Sequence, residues 1–114
     1  MPQVGFALLV LPGRTGLDRD ALASCWRGDR RATYDEARRR AGITRETVWI
    51  QATATGDLAV VHLEADDLDA AFGVLGGSPA PFDQWFRDLV QAVHGVSLAD
   101  VTLPELVLDY DSEA

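Results

Sequence analysis

Two histidines, three tryptophans, two tyrosines and a single cysteine are the side chains of this 114-residue chain best suited to holding or turning over a small molecule. His62 stands out among them. It sits in the middle of an otherwise apolar run, Leu58 to Glu64, and imidazole is the side chain that titrates nearest neutral pH, which suits it to proton transfer. The structural alternative is a core or interface ring bonded to a carbonyl or a nearby acid. Trp49 and Gln51 alternate along one strand-like run, so an aromatic wall and an amide share a face; a core Trp and a Gln at a subunit seam fit the same pattern. Tyr34 either offers its hydroxyl to that space or packs as an amphipathic helix residue. His94 falls in the last turn of a helical pattern, where a partly positive ring complements the dipole. Trp85 and Phe86 lie at core spacing, and Asp83 just before them complements a helix start. Cys25 has no partner for an internal disulfide and no local catalytic signature, which reads as an inert buried thiol.

Several chemistries lack their spacing. The two histidines are thirty-two positions apart, with no paired His or Cys nearby, so no metal site is legible. Asp66, Asp67 and Asp69 lack the twelve-residue calcium-loop pattern. Gly73 and Gly76-Gly77 belong to no phosphate loop, there is no lysine, and no G-x-S-x-G elbow occurs.

The elements that must position these residues follow from periodicity. Gln3 to Leu11 reads as a strand with apolar residues on both parities, Phe6 and Leu8 against Leu9 and Leu11, and Pro12-Gly13 ends it. Thr15 to about Ala41 reads as helix, opened by a Thr15/Asp18 capping box, bent or divided at Gly28 and stopped by Gly42. Arg45–Thr53 and Leu58–Glu64 read as a hairpin around Thr55-Gly56-Asp57. A short helix from Asp66 or Asp67 to about Leu75 follows. A second runs from a Ser78 cap and Pro79 to Gly95, and a strand is expected over Glu105–Tyr110. The order is strand, helix, strand, strand, helix, strand in one domain over residues 1–114. Strands apolar on both parities need cover on both faces. Helices supply one face, and a second copy paired sheet to sheet by two-fold symmetry is the simplest cover for the other.

Apolar content of 47% and this length suffice for one core without metal or disulfide staples. The net charge of −8 is uneven: residues 1–56 hold nine Arg against six acids, residues 57–114 one Arg against twelve. The Arg27–Arg45 cluster (Arg27, Arg30, Arg31, Arg38, Arg39, Arg40, Arg45) reads as a solvated helix face, or one meeting an acidic surface of a second copy. No aromatic–basic motif interleaves it, and the overall charge opposes nucleic acid. No secretory signal or membrane-length apolar run is legible, so a cytoplasmic protein is expected.

The element order resembles the ferredoxin-like βαββαβ sandwich of the dimeric α/β-barrel superfamily, which includes antibiotic-biosynthesis monooxygenases and stress-responsive barrel proteins. More closely, Arg31-Ala-Thr-Tyr-Asp-Glu-Ala-Arg38, Gly42-Ile-Thr-Arg-Glu-Thr-Val-Trp-Ile-Gln51, Gly56-Asp57, Pro81-Phe-Asp-Gln-Trp-Phe86 and Val93-His-Gly95 resemble a family of small uncharacterised bacterial proteins, over nearly the whole chain. The resemblance implies an α+β domain with an antiparallel sheet, helices on one face and a homodimer through the other. It also implies a substrate space between sheet and helices, where polar and aromatic groups hold a phenol or its anion. Tyr34, Trp49, Gln51, His62, Trp85 and His94 are the candidates for it. Two function classes follow: a small-ligand-binding or accessory protein, or a cofactor-independent monooxygenase-like enzyme acting on a small aromatic or enolisable metabolite. In the enzyme, His62 would shuttle a proton, Gln51 and Tyr34 would hold the oxyanion, and Trp49 and Trp85 would wall the cavity.

Overall fold

A computed structural model of the chain describes residues 2–113. Strand β1 (Gln3–Leu9) is followed by helices α1 (Thr15–Arg27) and α2 (Arg31–Arg40). The hairpin β2 (Ile43–Thr53) and β3 (Gly56–Ala65) comes next, then α3 (Leu68–Gly77), α4 (Pro81–His94) and a 3-10 turn at Leu98–Asp100. The fold is α+β, with a three-stranded antiparallel sheet in the order β1-β3-β2. Strand β3 takes the centre, where both of its edges are paired.

Strand parity decides what is buried. Along β1 exposure alternates residue by residue, with Val4, Phe6 and Leu8 turned inward. On β3 the inward set is Ala59, Val61, Leu63 and Ala65; on β2 it is Glu46, Val48 and Ile50, paired opposite Leu63, Val61 and Ala59. The main core joins Leu63, Ala65 and Ile43 to Ala71 and Leu75 of α3, Val90 of α4 and Leu98. A second cluster joins Ala59 to Val10, Leu89 and Val93, and a third holds Cys25, Ala37 and Phe82. No outward-parity residue of the sheet enters these clusters, so in one copy the helices cover one face. The expectation that the strands are covered on both faces is therefore not met within a single chain: Leu9 is 64% and Trp49 54% exposed.

The helical stretch 15–41 divides at Gly28, as its sequence allows. A Cβ there would lie 2.7 Å from Ser24 Cα, so only glycine permits the tight exit from α1. Arg30 then ties the break to Ser24, donating its backbone N–H to the carbonyl and its Nη1 to the hydroxyl, both at 3.0 Å. Gly42 takes φ +72° at the end of α2, the left-handed conformation expected of a stop signal.

Three local expectations are corrected. Thr15 does not cap α1; its hydroxyl donates to Asp57 at 2.6 Å, and Asp18 turns into the core. The last long helix begins at Pro81 rather than Pro79, because α3 continues through Gly76 and Gly77. Gly76 is held there by close approach to Ala99, whose Cα would lie 3.1 Å from an added Cβ. Arg87 closes the end of α3 by donating to the carbonyls of Leu75 and Ser78 at 3.1 and 2.5 Å.

The largest correction concerns Glu105–Tyr110, which forms no strand. Its pattern is strand-like, but a strand exists only through a ladder partner, and the segment pairs with neither edge of this chain's sheet. Leu106, Val107, Leu108 and Tyr110 stand 76–84% exposed. The element order is therefore βααββαα, which differs from the expected βαββαβ.

Candidate functional site

The inward face of β2 and the helices above it enclose a cleft. Arg19, Leu22, Ala23 and Trp26 of α1 form one wall, Val48 and Ile50 of β2 the other, and the cleft has a volume of about 630 Å³. Its floor is polar. Tyr34 donates its hydroxyl to Glu46 Oε1 at 2.5 Å, and Arg38 Nε donates to the same oxygen at 2.7 Å. The spacing Tyr34/Arg38 on α2 is one helical turn, so both side chains reach the same point on β2. Glu46 Oε2 has only a long contact, 3.5 Å, to Arg38 Nη2.

Arg38 is 5% exposed and stacked among aromatic rings, its guanidinium 4.5 Å from the Phe86 centroid and 5.0 Å from that of Tyr34. Burial works to lower its pKa, but the Glu46 carboxylate and the hydrogen bonds outweigh it and hold the guanidinium above its ordinary value. Burial, reinforced by the negative charge of Glu46, raises the Tyr34 phenol well above its ordinary value. The Tyr34 hydroxyl is thus placed as the donor to Glu46. Cys25 lines the same cleft, and burial raises its thiol too, consistent with an inert cysteine.

Beneath the cleft, and sharing Leu22, Glu46 and Val48 with it, lies a narrow apolar cavity of about 50 Å³ between sheet and helices. Asp18 and His94 line its far end. Asp18 is 4% exposed, and its Oδ2 has no hydrogen-bond partner. Burial raises its pKa, with nearby His94 acting in the opposite direction.

The six candidates divide between the two sides of the sheet. Tyr34 is in the cleft. Trp85 lies behind it, with its ring 5.4 Å from Phe82 and under the Arg30 guanidinium at 4.2 Å. His94 lines the inner cavity and bonds through Nδ1 to the Leu9 carbonyl at 2.7 Å, tying α4 to the end of β1. Trp49, Gln51 and His62 belong to the outward parity, with Trp49 opposite Val60 and His62 flanked by Gly5 and Thr47. The His62 ring meets Gln3 Oε1 at 2.9 Å and Glu64 at 4.0 Å. A single copy thus does not bring His62 and Gln51 to Tyr34.

Sequence reasoning missed Glu46, Arg38 and Asp18. A signal for Glu46 was present: it shares strand parity with Val48 and Ile50, so an acid was due to point inward. Arg38 was hidden among its neighbours, read together as a solvated face. Arg40 also departs from that reading, pairing with the buried Asp83 at 2.9 Å. Among the described residues no group of three or more His, Cys, Asp and Glu is placed to hold a metal ion, and no helix is long and apolar enough to cross a membrane. Comparison with family models, with curated proteins and with solved structures finds no match to this chain.

Proposed function

We propose that this chain is a small-ligand-binding protein of ferredoxin-like, dimeric α/β-barrel type, which takes a planar, largely apolar molecule with a hydroxyl group into the α1–β2 cleft. The observation that carries this reading is an apolar cleft ending on a hydrogen-bonding floor. Its volume of about 630 Å³ falls in the range of small-molecule sites. Trp26, Leu22 and Ile50 supply apolar walls, and the Tyr34–Glu46 pair supplies oxygen lone pairs. Because the Tyr34 proton is already given to Glu46, the floor is an acceptor, and it selects a ligand that donates. A phenol fits this chemistry.

Binding is favoured over turnover because the Tyr34 hydroxyl, the oxyanion donor of the enzyme reading, already gives its proton to Glu46. The monooxygenase reading needs His62 and Tyr34 in one site, and in one copy they lie on opposite sides of the sheet. The outward face, with Leu9, Val60 and Trp49, is the surface on which two copies would pair as a homodimer.

The test is titration with 2-naphthol, naphthalene and 2-naphthoate, followed by tryptophan fluorescence. A hydrogen bond to a charged acceptor contributes about 1.5–3 kcal/mol, so 2-naphthol should bind at least ~10-fold more tightly than naphthalene. The carboxylate, having no proton to donate beside Glu46, should bind worst. Equal affinities, or binding undiminished by Ala23→Trp in the cleft wall, would overturn the assignment.

A further inference from the structure

Two features of the chain are unfilled in a single copy, and they match each other. One is the free edge of β1, a seven-residue strand paired only with β3. The other is the segment Glu105–Tyr110, strand-like in its sequence pattern and exposed along its whole length. We propose that Glu105–Tyr110 of one copy adds as a β-strand to the β1 edge of a second copy, reciprocally about a two-fold axis. The inference builds on the two-copy reading above and names the element that joins the copies.

Exposed edges are normally protected by charge, proline or bulges, and the two edges of this sheet differ in that respect. The β2 edge carries Arg45 and Glu46, has a register irregularity between Ile43 and Arg45, and is tied to α2 through Tyr34 and Arg38. The β1 edge, Gln3-Val-Gly-Phe-Ala-Leu-Leu9, has no charged residue and no proline within the strand. It is the unprotected one, and strand addition uses such an edge.

The segment is shaped to fill it. Pro104 cannot donate to a ladder, so pairing starts after it and leaves six residues against the seven of β1. Leu106, Leu108 and Tyr110 share one parity; Glu105, Val107 and Asp109 share the other. An added strand would bury the first set and leave the acids in water. Leu106, Leu108 and Tyr110, 76–82% exposed in the single copy, would be covered in each of the two joints, alongside the outward sheet faces. The chain's own β1 edge is equally open, yet the segment does not occupy it. A second copy fills both vacancies at once, and exchange of identical elements closes with two-fold symmetry.

The experiment compares the wild-type chain with a Leu106→Asp/Leu108→Asp double variant and with Trp49→Glu, using light scattering for mass and hydrogen exchange for β1 and residues 105–110. All three positions are exposed in the single copy, and circular dichroism checks that each variant is folded. The wild type is expected to be a dimer with slow exchange in both segments. The double variant is expected to be a monomer in which β1 amides exchange at least ten times faster. A wild-type monomer, including one in which its own segment protects β1, would overturn the proposal. So would a dimer that the double variant leaves intact. If Trp49→Glu separates the copies and the double variant does not, face pairing stands and strand exchange falls; the reverse result keeps strand exchange and removes face pairing. Binding of 2-naphthol to the cleft is scored separately, since none of these substitutions touches the cleft.

Discussion

Replacing Glu46 by Gln keeps the shape of the side chain and removes its charge. Arg38, 5% exposed, would then be a buried cation without a counter-charge, and its Nη1 already has no partner. Removing one member of a buried ion pair costs about 3–5 kcal/mol, whereas a surface pair is worth about 0–1 kcal/mol. The side chains of Arg38 and Glu46 are 6% and 11% exposed, so the buried value applies. For a domain of this size such a loss corresponds to a fall in Tm of ~12–20 °C and a large share of total stability. The assay is urea and thermal unfolding followed by far-ultraviolet circular dichroism. The control is Glu46→Leu with Arg38→Met, which removes both charges and should recover most of the loss, since apolar replacement of a buried pair is often neutral or stabilising. A penalty under about 1 kcal/mol for Glu46→Gln, or a double variant whose loss is the sum of the single losses, would refute the view that these residues act as one buried unit.

Asp18→Asn should stabilise the fold at neutral pH by on the order of 1 kcal/mol, since it removes a buried carboxyl whose pKa burial has raised. The folded state binds the Asp18 proton more tightly than the unfolded state does. Its contribution is therefore fully present below the ordinary carboxyl value of 3.8 and is lost as pH rises through the folded value. The variant should lack that falling limb in stability-against-pH curves, and an unchanged limb would count against it. His94→Ala removes the bond to the Leu9 carbonyl and a ring at a helix C-terminus; chemical denaturation should show a loss of about 1–2 kcal/mol. Gly28→Ala should destabilise by about 1–3 kcal/mol because its methyl would meet Ser24 at 2.7 Å; a neutral result in thermal melts would mean that the α1–α2 break relaxes freely.

Much of the fold was legible because it is written in local patterns. Alternation located β1 and the β2–β3 hairpin and separated Trp49, Gln51 and His62 from Val48, Ile50 and Val61. Gly28, Gly42 and Gly95 marked helix ends because left-handed or crowded backbone excludes side chains, with φ of +72° at Gly42 and +71° at Gly95. Capping was harder to read, since Thr15 and Ser78 carry cap chemistry, but the Thr15 hydroxyl turns to Asp57 and the last long helix starts at Pro81. The site was harder still: its decisive residues, Glu46 and Arg38, come from different elements and looked like surface charges one at a time.

The sequence by itself determined where β1, the β2–β3 hairpin and the helical segments lie, the parity of each strand and the division of charge between the two halves, because these depend on neighbours along the chain. Only the tertiary structure decided which parity faces the helices. It also decided that Tyr34, Arg38 and Glu46 meet over a cleft, that Asp18 is buried beside His94, and that Glu105–Tyr110 has no ladder partner in its own chain. Each of those outcomes depends on which distant surfaces come together, and strand period or helix propensity carries no information about that.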